Sequence, residues 1–263
     1  MLATRTLIGC VLVGVLPRVV VGKDFTTKND WFGNELAETP ECWSDSWSFT
    51  DDRYRDYFSF DCEPNISVDN GVVALLMNET CFSPTLIYNR ANIHYGMAKV
   101  LLKPSKQLGA VTALVRGVWG KGEIDYEFTP LSPDGHVQSV YYVGHNEPNG
   151  IGGLEMHGDP TDNNSGLYDD FHEYGMEYTP EHIRWLINGV EVRKVTAGPD
   201  KPLPKDAYAF NINVWNAGAT FSAWAGKTNW TEGPHVTYVK QVSFDSYCEK
   251  TKNMTSTVTT GDM

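Results

Sequence analysis

Short runs of apolar residues, several of them alternating with polar residues, recur along the chain between turn-forming residues. The runs are rich in Val, Ile, Tyr, Trp and Thr and are bounded by Gly, Pro, Asn and Asp, which is typical of β-strands. They are "GVVALLM", "YGMAKVLL", "AVTALVRGVW", "EIDYEF", "HVQSVYYVG", "IRWLINGVEVRKV", "YAFNINVW" and "VTYVKQVSF". No stretch has the length and period of a long amphipathic helix. The pattern predicts an all-β protein, a sandwich or jelly roll of two antiparallel sheets.

Two Asn-Gly pairs predict where neighbouring strands reverse direction. The pair at 188–189 stands between "RWLI" and "VEVRKV", and this dipeptide favours the two-residue type I′ turn of a β-hairpin. The Asp-Asn-Gly sequence at 69–71 has the same position within "DCEPNISVDNGVVALLMNETC". This second hairpin begins near Cys62 and ends near Cys81, so it can bring the two cysteines close together.

The chain divides into three parts by composition. Residues 23–248 contain no internal repeat and no linker rich in Pro or Ser, so we expect one domain there. Residues 249–263, "EKTKNMTSTVTTGDM", are polar and rich in Thr, which predicts a disordered or O-glycosylated tail. This tail lacks the hydrophobic end of a lipid-anchor signal. The expected product is therefore soluble or associated with a cell wall.

Residues 1–22 have the pattern of a signal peptide for secretion. Arg5 precedes an apolar run that ends in small residues. An N-terminal anchor helix is the alternative interpretation, but Pro17 and Arg18 interrupt the run short of the ~20 apolar residues that a membrane span needs. We therefore expect a secreted protein without a membrane span.

Composition and charge restrict the partners of this protein. The 263 residues are 41% hydrophobic and 12% aromatic, as in a globular protein. The formal net charge of −12 becomes −14 when Arg5 and Arg18 leave with the signal segment. Nucleic acids and anionic membranes repel such a protein, whereas neutral polymers such as polysaccharides do not. Neutral polymers therefore remain admissible partners, and we expect a monomer.

Cysteine usage also fits an exported protein. Loss of Cys10 with the signal segment takes the cysteines from five to four, an even number that suits two disulfides. Four cysteines allow three pairings. The hairpin favours Cys62 with Cys81, which leaves Cys42 with Cys248. Sequons for N-glycosylation stand at Asn65, Asn78, Asn163, Asn229 and Asn253.

One predicted strand, "GEIDYEF", carries three acidic residues at alternate positions. Alternate side chains of a strand point to the same face of a sheet. The acidic face therefore consists of Glu123, Asp125 and Glu127, and the apolar face of Ile124, Tyr126 and Phe128. Like charges in a row repel each other, so this pattern favours a functional explanation. A solvated acidic strand and a calcium site remain alternatives.

Glycoside hydrolysis needs such a set of carboxyl groups. A retaining enzyme uses one carboxylate as nucleophile and one protonated carboxyl as acid, ~5 to 5.5 Å apart. The Cα atoms of Glu123 and Glu127 are about 13 Å apart on a flat strand. The two side chains must therefore lean together, as the concave face of a curved sheet allows. Asp125 lies between them and can help to keep the acid protonated.

Four blocks of the sequence resemble glycoside hydrolase family 16. "GEIDYEF" matches the family signature of Glu, an aliphatic residue, Asp, any residue and Glu. The other blocks are "YNRANIHYGMAKVLLKPSKQLGAVTALV", "VQSVYYVG" and "DFHEYGMEYTPEHIRWLINGVEVR". The unbulged signature, the "AVTALV" block and the secreted architecture with a Thr-rich tail are most similar to the Crh-type fungal cell-wall transglycosylases. Residues 23–58, which include Cys42, Trp43 and Trp47, match no pattern of the family.

The resemblance implies a curved jelly roll with a concave substrate cleft and a retaining mechanism. It assigns Glu123 as nucleophile, Glu127 as general acid/base and Asp125 as the assisting carboxylate. It implies transfer of chitin or β-glucan chains to β-glucan, without a cofactor, although a structural calcium ion is compatible with it. An endo-β-1,3(4)-glucanase and a non-catalytic glucan-binding module on the same fold are the alternatives.

The resemblance also suggests side chains that contact the sugar. Gln138 and Tyr142 fall on the strand after the acidic one, and Trp215 and Trp224 on the late segment that closes the cleft. Arg90 is a further candidate. The corresponding structural alternatives are core packing for the aromatic residues and a solvated position for Arg90. We expect Trp185 to lie in the core and His172 to be structural, because the histidines have no metal-binding spacing.

Three positions depart from the family pattern. Val140 stands where the family often has Asn, which removes one hydrogen bond near the acids. Gly122 stands where the Crh type usually has an acidic residue, and Tyr126 where it often has Trp. These departures leave the subfamily, rather than the catalytic carboxyl groups, as the open question.

Overall fold

The protein consists of two antiparallel β-sheets and a small parallel pair of strands, which confirms the predicted all-β class. The computed structural model describes residues 37–38, 43–91, 95–118, 122–132, 136–144, 155–161, 166–205 and 207–247. Within these ranges the α-helical content is one short helix, α1 (Ser222–Ala225), besides a few single 3₁₀ turns. None of the helices in these ranges is long and apolar enough to cross a bilayer.

The first sheet has seven strands and contains the acidic strand near its middle. Strands are numbered in chain order. Across the sheet they are β12 (Glu155–His157), β11 (Val137–Tyr142), β10 (Gly122–Phe128), β9 (Ala110–Val118), β16 (Phe210–Asn216), β6 (Thr85–Tyr88) and β3 (Phe58–Asp61). We call the outer face of this sheet, opposite the core, the cleft face.

The second sheet has eight strands and covers the inner face of the first. Its strands are β15 (Val190–Thr196), β14 (His182–Ile187), β13 (His172–Tyr178), β8 (Gly96–Lys103), β17 (His235–Ser246), β5 (Val72–Met77) and β4 (Ile66–Asp69), with β2 (Ser44–Trp47) paired to β17. The parallel pair is β1 (Ala37–Glu38) with β7 (Arg90–Ala91). Each apolar run identified in the sequence contributes at least one of these strands.

The core between the sheets fixes the orientation of the acidic strand. Ile124, Tyr126 and Phe128 are completely buried in it, so the acidic residues between them point to the cleft face. Each buried side chain of this size contributes roughly 1.5 to 3 kcal/mol. Trp185 is also fully buried, as predicted, and its indole Nε1 donates a hydrogen bond of 3.0 Å to the backbone carbonyl of Asp125. The second sheet therefore holds the middle of β10 from behind.

An aromatic cluster at one end of the sandwich incorporates the segment that resembles no family pattern. Trp47 is 1% exposed and belongs to β2, where it pairs with Val242 of β17. Trp43 stacks on Tyr88, with ring centroids 6.0 Å apart, and Phe244 packs against both rings. The residues from Trp43 onward are thus an integral part of the core.

Both predicted Asn-Gly turns are confirmed. Asn188 and Gly189 have φ angles of 50° and 78°, and Asn70 and Gly71 have φ angles of 49° and 76°. Positive φ at both central residues defines the type I′ turn, which Asn and Gly tolerate best.

The hairpin at 70–71 joins β4 to β5, and the predicted disulfide closes beside it. Cys62 and Cys81 are bonded, with their Cα atoms 6.2 Å apart. Cys42 and Cys248 lie outside the described residues, so their pairing stays a prediction.

The predicted glycosylation sites fall partly within the structure. Asn229 is exposed, and its side-chain oxygen accepts hydrogen bonds from Thr231. The side chain of Asn65 donates to the carbonyl of Leu76, and Asn78 accepts hydrogen bonds in the turn that it begins. Asn163 and Asn253 lie outside the described residues. Glycosylation at all these positions stays a prediction.

Candidate active site

The three acidic residues of β10 point to the cleft face in the order that the sequence predicts. Glu123 is 8% exposed, Asp125 is completely buried and Glu127 is partly exposed. The neighbouring strands β9 and β11 pair with β10 along its whole length, so each carboxyl group lies in a row of side chains that crosses the sheet. The residues in these rows define the local environment of each acid.

Glu123 has an aromatic residue beside it on one neighbouring strand and a residue without a side chain on the other. Tyr142 of β11 is its partner on one side, as the predicted subsite role requires, and Gly117 of β9 is its partner on the other. A Cβ atom at position 117 would lie only 2.6 Å from the Cα of Glu123. The close approach of the two strands therefore requires glycine, which leaves the cleft face without a side chain beside Glu123.

Asp125 lies between two valines. Its partners across the sheet are Val115 and Val140, which carry no polar side-chain group. The departure from the family pattern at position 140 therefore places an apolar side chain directly beside Asp125. The backbone carbonyl of Asp125 receives the indole hydrogen bond from Trp185 described above.

Glu127 has the chemistry of a general acid. Burial raises the pKa of its carboxyl group to about 8, with a further contribution from the negative charge of Glu123. No described residue donates a hydrogen bond to this carboxyl group, and the side chain keeps some contact with solvent in the cleft. A carboxyl group with this pKa is mostly protonated at neutral pH and can donate its proton to a departing oxygen.

Gln138 lies beside Glu127, but its amide group is bound to the protein itself. Gln138 is the partner of Glu127 on β11 and is 4% exposed. Its Oε1 accepts a hydrogen bond of 3.0 Å from the indole Nε1 of Trp224, and its Nε2 donates one of 3.2 Å to the hydroxyl of Ser132. The structure thus brings two predicted subsite residues together, although Gln138 directs its amide at Trp224.

Three aromatic side chains cluster at the Glu127 side of the cleft face. Trp215 of β16 and Trp224 of α1 have ring centroids 6.0 Å apart, and Phe221 packs edge-on against Trp215 at 6.0 Å. All three are partly exposed. Partly exposed rings on a cleft can stack against the C–H faces of a sugar. Trp215 and Trp224 are therefore placed where the predicted subsite role needs them.

The sequence interpretation missed two asparagines of β16. Asn211 and Asn213 lie two strands from β10, in the rows of Asp125 and Glu127 respectively. Their amides are hydrogen-bonded to each other, and Asn213 Oδ1 is buried without a partner among the described residues. These amides can bind sugar hydroxyls. The alternation of Asn, Asn and Trp at 211, 213 and 215 is the signal that could have found them.

Arg90 lies away from the acids. It follows β6, which is three strands from β10, or about 14 Å at the usual strand spacing. Its guanidinium group stacks 5.1 Å from the ring centre of Tyr57 and donates a hydrogen bond to the carbonyl of Asp56. A role in a distant subsite stays a prediction, while contact with the catalytic carboxyl groups does not fit this position.

The described residues contain no evident metal site, and His172 has structural contacts. Within the described residues, no three His, Cys, Asp or Glu side chains are grouped so as to hold a metal ion. His172 is buried and contacts Asp159 and Asn188, as a structural residue does. A calcium ion held largely by backbone carbonyls stays a prediction that these contacts do not address.

Comparison with known proteins identifies the family of this chain. Residues 54–232 match the family model described as "Glycosyl hydrolases family 16". This match spans more than half of the chain, so the protein belongs to glycosyl hydrolase family 16. The three acidic residues and the tryptophans Trp215 and Trp224 all lie within the matched range.

Several curated relatives are Crh-like proteins of fungi. The chain is 27% identical over 172 residues to "Crh-like protein 2" of Aspergillus fumigatus, a match of 60% of this chain and 37% of that protein. Across the first curated relatives the chain spans between 37% and 54% of their length.

Two solved structures share the fold. The structure titled "Apo Crh5 transglycosylase" has a TM-score of 0.62 at 20% identity and covers 77% of this chain and 84% of its own. The Bacillus licheniformis β-glucanase has a TM-score of 0.63 at 19% identity and covers 78% of this chain and 98% of its own. Both support the jelly-roll fold.

Proposed function

We propose that this protein is a retaining glycosidase that transfers chains of chitin or β-glucan to β-glucan acceptors outside the cell or in the cell wall. The observation that carries the proposal is the difference between two glutamates on one face of β10. Glu127 has a pKa of about 8 and a negative neighbour in Glu123. A retaining mechanism needs a protonated carboxyl group as the acid, which Glu127 supplies, and a second carboxyl group on the same face as the nucleophile, which Glu123 supplies.

The reaction proceeds in two displacements. Glu123 attacks the anomeric carbon and forms a glycosyl-enzyme, while Glu127 gives its proton to the departing glycosidic oxygen. In the second step Glu127, now ionised, takes a proton from a hydroxyl group, and the oxygen of that hydroxyl attacks the anomeric carbon and releases Glu123. The hydroxyl belongs to an acceptor sugar in transfer and to water in hydrolysis.

The aromatic cluster favours a sugar as acceptor. The acceptor must approach Glu127, because Glu127 takes its proton. Trp215 and Trp224 lie on that side of the cleft face and can stack a sugar ring there. Similarity to Crh-like proteins favours the same reaction. The structural similarity to a β-glucanase keeps hydrolysis of β-1,3 or mixed-linked glucan as the second candidate.

The test is a transfer assay with a matched inactive variant. The purified protein and Glu123→Gln are incubated with chitin or β-1,3-glucan as donor and a fluorescent β-glucan oligosaccharide as acceptor. Label entering polymer and reducing ends are measured in the same tubes. We expect incorporation of label without a matching rise in reducing ends, and loss of both signals in Glu123→Gln by about four orders of magnitude or more.

The other outcomes are equally clear. Reducing ends without label incorporation would identify a hydrolase. Binding without either signal would identify a glucan-binding module. A fully active Glu123→Gln would exclude Glu123 as the nucleophile.

A further inference from the structure

Trp224 is held by hydrogen bonds at both its backbone and its ring. Its backbone carbonyl accepts a hydrogen bond of 2.9 Å from the hydroxyl of Thr129, and its indole Nε1 donates one of 3.0 Å to Gln138 Oε1. Gln138 in turn donates to Ser132. We call these four residues, Thr129, Ser132, Gln138 and Trp224, the Trp224 latch. The Thr129 hydrogen bond fixes the backbone from which the side chain extends, and the Gln138 hydrogen bond fixes the orientation of the ring.

Three of the four side chains of the latch, those of Thr129, Ser132 and Gln138, are buried. Thr129 is 1% exposed, and Gln138 is 4% exposed. Buried amides and hydroxyls are nearly always hydrogen-bonded, and loss of one partner leaves the other unsatisfied away from water. The geometry of Trp224 is therefore specified by interactions that the protein cannot easily exchange for water.

The latch also connects Trp224 to the acid/base residue by two routes. Gln138 is the cross-strand partner of Glu127, and such partners have Cβ atoms about 5 Å apart. Thr129 follows Glu127 by two positions, and its carbonyl accepts a hydrogen bond of 2.9 Å from the buried hydroxyl of Tyr168. The ring and the carboxyl group are thus held against the same end of β10.

We infer that Thr129 and Gln138 are positioning residues, which hold the Trp224 ring at the angle that an acceptor sugar needs and so favour transfer over hydrolysis. This inference rests on the proposed function. Water is small and needs no platform, whereas an acceptor sugar must be oriented so that one hydroxyl meets Glu127 and the anomeric carbon. A loosened ring therefore affects sugar acceptors more than water.

The experiment compares Thr129→Val, Thr129→Ser and Gln138→Leu with the wild-type protein. Val has nearly the shape of Thr without the hydroxyl, whereas Ser keeps the hydroxyl and serves as the matched control. Transfer and hydrolysis are measured from the same donor as the concentration of the β-glucan acceptor is varied. Binding of the acceptor is titrated separately by tryptophan fluorescence, which needs no turnover. Thermal melting checks that each variant is folded.

In Thr129→Val and Gln138→Leu we expect the ratio of transfer to hydrolysis to fall about tenfold and the Kd for the acceptor to rise by a similar factor. Thr129→Ser should stay within about twofold of the wild type. A merely structural role would lower both rates together and leave their ratio unchanged. An unchanged ratio and an unchanged Kd in folded Thr129→Val would overturn the inference.

Failure of the proposed function gives a different result. If the wild type produces only reducing ends, or no product, the transfer function is wrong. The fluorescence titration still decides the role of the latch in that case. A tenfold higher Kd in Thr129→Val but not in Thr129→Ser supports positioning of Trp224 for sugar binding. Equal Kd values in the wild type, Thr129→Val and Thr129→Ser exclude it.

Discussion

Glu127 and Glu177 are both largely shielded glutamates, and they lie on the two outer faces of the sandwich. Glu127 belongs to β10 of the seven-stranded sheet, and Glu177 belongs to β13 of the eight-stranded sheet. The pKa of Glu127 is about 8, whereas the pKa of Glu177 is about 2. At neutral pH the first carboxyl group is therefore mostly neutral and the second is ionised.

Hydrogen-bond donors account for the low pKa of Glu177. Burial alone would raise it, but donors to the carboxylate outweigh that effect. Arg184 donates from Nε, the hydroxyl of Tyr247 donates at 2.5 Å, and Nε2 of His182 lies at 2.8 Å. The ionised form is thus bound on both of its oxygens.

Glu127 has the opposite surroundings. The negative charge of Glu123 raises its pKa further, and no described residue donates a hydrogen bond to it. Burial raises the pKa of both glutamates, and only Glu177 has hydrogen-bond donors that outweigh it, so the supply of donors separates the two. Glu127 lies among carboxyl groups and receives no hydrogen bond from the described residues, whereas Glu177 lies among donors and forms ion pairs.

The largest expected effect is a loss of kcat that occurs on substitution of Glu127 but not of Glu177. Replacing Glu127 with Gln removes the proton donor, so we expect kcat to fall by about 10² to 10⁴. Replacing Glu177 with Gln should leave kcat within about twofold, because Glu177 faces away from the cleft. Initial rates on the same glucan donor at neutral pH measure both variants.

A substrate with a good leaving group provides the control for this result. Such a substrate needs no proton for the first step, so Glu127→Gln should form its glycosyl-enzyme at nearly the wild-type rate. Equal losses on good and poor leaving groups would contradict the role of Glu127 as the acid.

The sequence was sufficient to predict those features of the structure that depend on residues close together in the chain. Alternation in "GEIDYEF" placed the acids on one face, and the Asn-Gly pairs located the type I′ turns. The hairpin at 70–71 also identified the Cys62–Cys81 disulfide. In each case residues close in sequence determine the geometry, because strand parity and turn conformation are set within a few residues.

Contacts between distant residues could not be predicted in this way. Gln138 and Trp224 are separated by 86 positions, and Glu177 and Tyr247 by 70. Which strands become neighbours depends on the whole fold, so sequence suggested a sugar contact for Gln138 and gave no sign that Trp224 occupies its amide. The neighbours of Glu177, and hence its pKa, were equally out of reach.

The next largest effect is on the free energy of unfolding, and it tests whether the hydrogen-bond donors around Glu177 stabilise the fold. Because the pKa of Glu177 lies below that of an unfolded glutamate, its ionised form stabilises the fold above about pH 4.5. That stabilisation disappears as the pH falls through about 2. Glu177→Gln should therefore lower the free energy of unfolding by about 2 kcal/mol at pH 7. Urea unfolding at pH 7 and pH 3 measures the difference.

Glu173→Gln is the matched control for this variant. Glu173 is on the same face of β13 and forms an ion pair with Lys99, but both side chains are 41% exposed. Exposed pairs contribute little, so we expect a loss below about 1 kcal/mol. A loss at Glu177 that is as small as at Glu173, or that does not shrink toward pH 3, would contradict the donor explanation.

The smallest effect has the opposite sign and concerns the stability of the Glu127 variant. The pKa of Glu127 is raised in the folded state, so the unfolded chain releases this proton near pH 4.5 and the folded protein near pH 8. Between these pH values Glu127 is ionised in the unfolded chain but still protonated in the folded protein. The free energy of unfolding therefore falls progressively as the pH rises across this range. Gln cannot ionise. We expect Glu127→Gln to be more stable than the wild type by about 1 kcal/mol at pH 8, since solvent in the cleft relieves part of the cost.

The pH dependence of this gain is its decisive feature. Thermal melts at pH 4.5 and pH 8 should show a difference between Glu127→Gln and the wild type that grows with pH. Glu79→Gln makes the same change at an exposed position and should show no such growth. If the gain is equal at both pH values, Glu127 is not held neutral by its surroundings, and the contrast with Glu177 that identifies it as the acid is lost. Growth of the gain toward pH 8 would instead show that the folded protein keeps Glu127 protonated at a cost in stability, as the proposed reaction requires.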